Sequence, residues 1–465
     1  MWSTVERFSV QGIQLVLSMV IARLLLPSDY GLVAMLSVFL NISQVFVDSG
    51  FSKALIQKQN RTNEDCSTVF YFNIAVSSSI YLLLFIYSPL IASFYNEPQL
   101  SQILRVSALN LIITSLSAIQ YTLINISLDY KRYAKITLAS VLISGTCGLA
   151  MAYNGFGVWS LVFQTMLNNT MICILLWASS KWCPSLVFSK QSFKELFGFG
   201  SKLLASSLLT SIYANLYTLF IGKVFSSKEL GLYNRSMTIV NMPSSNISEI
   251  ITRVTYPVEC ELQNEDDKLI EKFFGFIRMT CFIVFPLMIG VLVLAEPFIR
   301  VVLTAKWIEA VPIIQILCIA FMFQPLMAMN WQLLNVKHRS DLALKSEIIK
   351  KLIAISILLF SLQFGLLAMC WGLAFYSLVD MVVITIFTKK ILPKVTITKE
   401  IYLLLPVFAI SIVSGLAVYA INHFLIASYM LRLFVGALLG GVIYTALAYI
   451  FRFKELSLIR SFIKK

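Results

Sequence analysis

The chain has 465 residues, of which 58% are hydrophobic and 13% charged, with 37 Lys+Arg against 23 Asp+Glu and a formal net charge of +14. Its mean hydropathy is +0.82. A soluble domain carries about 25% charge and a soluble core stops growing near ~250–300 residues, so this composition argues against a water-soluble enzyme. Its apolar runs are continuous rather than alternating, which argues against a porin-type barrel.

A spanning helix needs about 20 apolar residues. The pattern predicts fourteen, at 8–25, 31–48, 69–92, 103–127, 134–154, 157–178, 199–222, 233–251, 276–296, 311–334, 343–363, 366–388, 402–422 and 430–451. The first run starts near Met1, lacks a cleavage pattern and runs into Arg23, so no cleavable signal peptide is expected. The eighth is the weakest, because Asn241, Pro243, Ser244, Ser245 and Asn246 interrupt it. The longest polar stretch, Thr252 to Gly275, is acidic and reads as a surface helix. Prolines 243, 257, 286, 312, 325 and 406 fall in or at the ends of spans, where they kink helices and free carbonyls. Trp159, Trp307 and Trp331 read as interfacial anchors.

An even number of spans puts both ends on one side. The loops on that side hold 27 Lys and Arg, counting Arg7, against about eight on the other. Basic residues collect in cytoplasmic loops, so both termini are expected in the cytoplasm. The loops on the other side are all short.

The chain also repeats itself. Arg23-LLLPSDYGL-Val33 follows the first span and Lys223-VFSSKELGL-Tyr233 the seventh. In each, a basic residue is followed by an acid at +6 (Asp29, Glu229), Gly at +8 (Gly31, Gly231) and Leu at +9, with an offset of 200. Lys53 against Arg253 continues the register, and FGV at Phe156 recurs loosely as FGL at Phe364. Copies six spans apart share one orientation. The predicted architecture is therefore all-α and polytopic: parallel six-helix lobes at 1–178 and 199–390, two added helices within 402–451, and a basic tail, 452–465.

The eight cysteines include no CxxC pair and mostly lie in apolar runs, so they read as small hydrophobes. With only His338 and His423, a His-based metal or acid–base site is not expected. There is no GxxxxGK[ST], GxSxG or HExxH, so neither an enzyme nor a cofactor is expected. No basic run interleaves with aromatics, so nucleic acid is not an expected partner. A two-lobed helical membrane protein without extramembrane domains is most simply a transporter.

A charge at a helix centre costs about 2.5–3.5 kcal/mol, so charges in or near spans are the informative residues. Arg23, Lys53, Arg105, Lys202, Lys223, Arg235, Arg253 and Arg278 form the basic set. Facing a cavity, they would make a lumen for an anionic substrate; at span ends, they would snorkel to headgroups. Asp48, Glu249 and Asp380 are the candidates for proton or Na⁺ coupling. Asp48 and Glu249 close their spans and fit interfacial caps or salt bridges equally well. Asp380, within FYSLVDMVVITIF, should pair with a base, bind a cation, or make an interhelical hydrogen bond.

ARLLLPSDYGLVAM (22–35), VDSGFSKALIQK (47–58), GFGVWSLV (155–162), FGFGSKLL (197–204), IGKVFSSKELGLYNRS (221–236), RVTYPV (253–258) and Lys306–Trp307 together resemble Wzx-type lipopolysaccharide and exopolysaccharide flippases. These form the polysaccharide-transport branch of the multidrug/oligosaccharidyl-lipid/polysaccharide exporter superfamily. The resemblance covers about the first 310 residues well and the rest mainly by topology. It implies two six-helix lobes and movement of undecaprenyl-diphosphate-linked oligosaccharide between leaflets of the bacterial plasma membrane. It also implies membrane lipids, a polysaccharide polymerase and a co-polymerase as partners. A cation-coupled drug antiporter is the alternative, and a membrane polymerase or ligase of lipid-linked sugars a further one.

Overall fold

The computed structural model of the protein describes residues 2–48 and 50–456, and the side chains among them except those of residues 2–11 and Phe199. Most of the expected basic tail, and the side chain of Arg7, lie outside the described residues. All regular structure among the described residues is helical. The chain divides into two compact units, Met1–Gly231 and Leu232–Lys465.

The first unit holds α1 (Trp2–Leu24), α2 (Pro27–Asp48), α3 (Phe51–Gln57), α4 (Asn63–Tyr95), α5 (Gln99–Ser107), α6 (Leu109–Ser127), α7 (Tyr130–Tyr153), α8 (Val158–Ser179) and α9 (Lys190–Val224). Next comes α10 (Ser227–Glu261), whose first turn belongs to that unit and whose remainder opens the second. The second unit continues with α11 (Asp266–Val293), α12 (Ala295–Phe298), α13 (Ala310–Met322), α14 (Gln324–Val336) and α15 (Ser340–Ser361). It ends with α16 (Leu366–Lys389), α17 (Ile397–Phe424) and α18 (Tyr429–Ile450).

Among the described residues, eleven helical segments are long and apolar enough to cross a membrane. The predicted first, eighth and eleventh spans fall on α1, α10 and α15, which lie outside that set. In α15 the cause is Lys345, Glu347, Lys350 and Lys351 within one helix. Burial runs opposite to that of a soluble bundle. Along α4, Ser67, Thr68, Asn73, Ser77 and Ser88 are buried, while Leu82, Leu83, Ile86 and Leu90 are exposed. Only a solvent as apolar as leucine rewards that arrangement, so this is a multi-pass membrane protein. Ser77 donates to Ser115 at 2.9 Å and joins α4 to α6; such bonds average about 0.6 kcal/mol in a bilayer.

Helix starts follow their side chains. Thr62 and Asp65 form a reciprocal capping box at α4, and Asp129, Ser189 and Thr396 cap α7, α9 and α17. A cluster of Phe51, Leu55, Val69, Phe70, Ile119 and Leu196 ties α3, α4, α6 and α9 together.

The repeat has a physical basis. Asp29 Oδ2 accepts from Leu26 N at 2.9 Å, and Glu229 Oε2 accepts from Ser226 N at 3.0 Å, so the acid of each copy caps the following helix. The glycines allow contact between the copies. A Cβ on Gly31 would lie 1.7 Å from the Ser227 carbonyl oxygen, and one on Gly231 would lie 1.8 Å from that of Pro27.

Three expectations need correction. The polar stretch from Thr252 is not one surface helix. Its first part extends α10 to Glu261, its last part opens α11, and Glu259 within it is fully buried. Trp307 is not an interfacial anchor but is 0% exposed, in a short 3-10 turn before α13. Asn241 to Asn246 do not break the eighth span: α10 stays helical through Pro243 and Pro257. Ser244 donates to the Phe321 carbonyl of α13 and Ser245 to the Asn241 carbonyl one turn earlier, so both hydroxyls are satisfied without a break in the helix.

Gly31→Ala and Gly231→Ala should each destabilise the protein by at least about 2 kcal/mol, because backbone rather than a side-chain tip must yield. Gly198→Ala, with open space around it, should be neutral. Thermal unfolding of the three variants in one detergent checks this.

Candidate functional site: a polar strip and its flanking charges

Polar side chains on several spanning helices of the first unit meet in a chain of contacts. Gln44 donates to Asp48 at 3.0 Å and accepts from Thr114 at 3.2 Å. Thr114 lies one turn after Asn110 on α6, and Asn110 accepts from Asn169 of α8 at 3.1 Å. One turn before Asp48's neighbour Gln44, Asn41 donates to Asn215 of α9 at 3.3 Å. Asn41, Gln44 and Asp48 share one face of α2 and extend about 10 Å along it.

The strip differs from the buried serines of α4 in being accessible. Asn41 and Asp48 are exposed, and Gln44, Asn110, Thr114, Asn169 and Asn215 are part-exposed. Amides and a carboxylate facing hydrocarbon would each cost several kcal/mol. Such a strip at membrane depth faces water or a polar cargo. Side chains of this kind accept and donate hydrogen bonds without holding a charge, as a path for hydroxylated groups requires.

Cations flank the strip. Lys53, on α3, acts electrostatically on Asp48. The link between α2 and α3 rests on Gly50, at φ 69°, where a Cβ would lie 2.6 Å from the Gly200 carbonyl oxygen of α9. That close approach brings Lys53 and Lys202 onto touching elements. Lys58 Nζ then pins the end of α3 to Asp65 at 3.1 Å and Glu195 at 3.0 Å. Burial pulls the Lys58 ammonium down, but Glu195 and Asp65 outweigh that and hold it above its ordinary value. Arg23 closes α1, which packs on α7. Arg23, Lys53 and Lys202 are exposed and form no ion pair among the described residues.

The other predicted cations are engaged within their own units. Arg105 donates to Ser88 at 2.8 Å and lies 4.5 Å above the Phe85 ring. Lys223 donates to the Phe94 carbonyl at 2.6 Å, over the Phe94 ring. Arg278 pairs with the buried Glu455 at 2.9 Å and faces Phe453. Arg253 pairs with Glu249 one turn earlier on α10, both well exposed. Arg235 is buried in α10.

Asp380 has found a base. Lys350 of α15, 5% exposed, reaches it at 3.1 Å and also contacts Glu347 at 2.5 Å. Tyr376 donates to Asp380 from one turn earlier. Of the lysines of α15, Lys345, Lys350 and Lys351, the fold makes Lys350 the interhelical partner.

Two buried carboxylates were not singled out from sequence. Glu259 accepts from Gln332 at 2.8 Å, and Glu400 contacts Asn330 and Thr385, each at 2.8 Å. Both lie beside polar loops and look solvated in sequence. The strip's amides carried a usable signal: Asn41, Gln44 and Asp48 recur at helical spacing, as do Asn110 and Thr114.

Comparison with known proteins places these observations. A family model described as "Polysaccharide biosynthesis protein" matches residues 20–312. The teichuronic acid biosynthesis protein TuaB of Bacillus subtilis is 28% identical over 386 residues, 82% of this chain and 80% of that protein. The lipopolysaccharide biosynthesis protein WzxC of Escherichia coli is 24% identical over 75% of this chain and 71% of its own. Among solved structures, the lipid II flippase MurJ in an inward closed conformation superposes with a TM-score of 0.77. It is 14% identical and covers 97% of this chain and 98% of its own, a likeness of fold.

Asn41→Cys, Gln44→Cys and Asn110→Cys, in a background lacking the native cysteines, should react with a membrane-impermeant maleimide. Leu83→Cys and Ile86→Cys, on the exposed apolar face of α4, should not. Equal labelling of both sets would contradict a water-facing strip.

Proposed function

The chain belongs to the polysaccharide biosynthesis protein family, and from that premise we propose that it moves lipid-linked oligosaccharide across the bilayer by alternating access. The cargo in this reading is an undecaprenyl-diphosphate-linked oligosaccharide, carried from the inner to the outer leaflet of the bacterial plasma membrane. Its use is the assembly of a surface polysaccharide. The observation that carries the reading is the accessible polar strip on the spanning helices, accompanied in the same unit by exposed cations that form no ion pair among the described residues.

The division of labour follows from chemistry. A diphosphate needs cations: arginine offers a fork of donors and lysine a point charge. Arg23, Lys53 and Lys202 are the exposed cations for that role. A glycan needs exchangeable neutral hydrogen bonds, which Asn41, Gln44, Asn110, Thr114, Asn169 and Asn215 supply. The lipid tail stays in hydrocarbon and asks nothing polar of the protein. No covalent bond changes, so the protein acts as a transporter rather than an enzyme. Its relatives carry biosynthesis and transport names, in keeping with that.

The charge bias of the loops supports cytoplasmic termini. Arg105 and Arg278 serve mainly to hold helices in place, while Arg235 and Arg253 remain secondary candidates for the cargo. Coupling to a proton or Na⁺ would supply direction, with Asp380, Glu249 and Asp48 as the acids first considered. Asp380, neutralised by Lys350, fits a structural pair best. A polymerase and its co-polymerase would take the product on the outer face.

Neutralising Arg23, Lys53 and Lys202 together to Gln should weaken binding of undecaprenyl diphosphate by at least about tenfold, since one charge-assisted hydrogen bond is worth about 1.5–3 kcal/mol. Titration of the purified protein in nanodiscs with undecaprenyl diphosphate measures this. Unchanged affinity in the triple variant would remove these residues from the site.

A further inference from the structure

Glu400 lies in the first turn of α17 and is 0% exposed. Its neighbours are neutral hydrogen-bonding groups. Asn330 Nδ2 lies 2.8 Å from Oε1, and Thr385 Oγ1 lies 2.8 Å from Oε2. Among the described residues Glu400 forms no ion pair.

The protons around it can be counted. Asn330 Nδ2 has two hydrogens, one aimed at the Leu326 carbonyl at 3.0 Å and the other at Glu400 Oε1. Oε1 is therefore an acceptor. Thr385 has a single hydroxyl proton but two oxygens at 2.8 Å, the Met381 carbonyl and Glu400 Oε2. The Met381 carbonyl cannot donate. If the Thr385 proton goes to Met381, the second short contact needs a proton from Glu400. A neutral acid fits the arrangement atom for atom: its carbonyl oxygen faces the amide, and its hydroxyl faces the threonine oxygen.

The charged groups nearby do not supply an alternative. On α11, the Cys281 thiol is fully buried and offers no positive charge. Arg278 of the same helix is committed to Glu455, which follows α18. Lys389 and Lys390, ending α16, are exposed. Lys399, beside Glu400 on α17, is exposed as well. On α18, Tyr444 donates to the Phe282 carbonyl. On α14, Asn330 and Gln332 are neutral, and Gln332 turns to a second buried acid, Glu259 of α10. Among the described residues the α17 N-terminus and the Asn330 amide are what favour an anion here, and a helix end is a weak counter-charge. Water reaching this end would let the carboxyl ionise; closure would return it to the acid.

We propose that Glu400 is a proton-binding site, standing here as the neutral acid that accepts from Asn330 and donates to Thr385, and that it exchanges its proton when the root of α17 opens to water. Its use in driving transport rests on the function proposed above; its protonation does not.

Infrared difference spectra of the full chain in nanodiscs test the site without any cargo. Wild type minus Glu400→Gln should show a protonated-carboxyl band at pH 7. That band should decline with rising pH along a single curve, about tenfold per pH unit beyond its midpoint. It should persist when sodium chloride replaces potassium chloride. Thr385→Val should shift the band toward a weaker hydrogen bond, while Thr385→Ser leaves it in place; this pair suffices if Glu400→Gln does not fold. No such band at pH 7, or a band indifferent to Thr385→Val, would overturn the proposal. Loss of the band on adding sodium at constant pH would overturn it in favour of a cation site. In vesicles, an imposed pH gradient should alter wild-type cargo movement and leave Glu400→Gln unresponsive. A gradient response kept by Glu400→Gln would overturn the coupling role. Wild-type vesicles that move no cargo, with the band present, would instead count against the proposed function.

Discussion

Hydrocarbon offers a backbone no hydrogen bonds, and almost everything in this molecule follows from that. The chain closes its amides within long helices, and it satisfies polar side chains either against carbonyls of the preceding turn or against a neighbouring helix. Ser77 with Ser115 is such a pair between α4 and α6, and Ser67 of α4 pairs with Ser185 of the α8–α9 loop. The same constraint gives meaning to the exceptions. Leu82, Leu83 and Ile86 can face lipid at no cost, but Asn41, Gln44 and Asn110 cannot. An accessible row of amides inside the apolar band marks a surface that meets water.

Charge is managed with equal economy. Lys350 and Asp380 cancel each other between α15 and α16, and Arg278 and Glu455 tie the segment after α18 to α11. A buried pair of this kind adds little net stability, yet losing one partner leaves an uncompensated charge. Such pairs behave as fixed fittings. The cations without such a fitting are Arg23, which closes α1, and Lys53 and Lys202, on the touching helices α3 and α9. Binding an anionic headgroup is the use they suggest.

Much of the fold was legible in sequence because lipid-facing helices have a coarse signature. Most of the span positions and the repeat at offset 200, with Gly31 and Gly231 as landmarks, follow from composition and spacing. The repeat proved to be chemical: Asp29 and Glu229 cap matching helix starts, and the two glycines let the copies touch. What escaped notice depends on contacts between distant segments. Glu259 and Glu400 sit next to charged loops in sequence and are buried only because α14 and α16 cover them. In sequence Lys350 stands only among the basic residues counted on one side, and it is the fold that brings Asp380 of α16 to it. Trp307 resembled other membrane tryptophans, and only packing showed it to be core. The strip's amides were visible as residues, but their common exposure needed α2, α6, α8 and α9 assembled.

The most direct measurement is leaflet-to-leaflet movement in proteoliposomes. Undecaprenyl-diphosphate oligosaccharide is placed on one leaflet, and its arrival on the other is followed with an impermeant glycan-cleaving enzyme. The account predicts protein-dependent movement that falls when Asn41, Gln44 and Asn110 are replaced by leucine, with insertion into the membrane unchanged. Movement at the wild-type rate in that variant would contradict it, because the polar strip would then have no part in carrying the cargo.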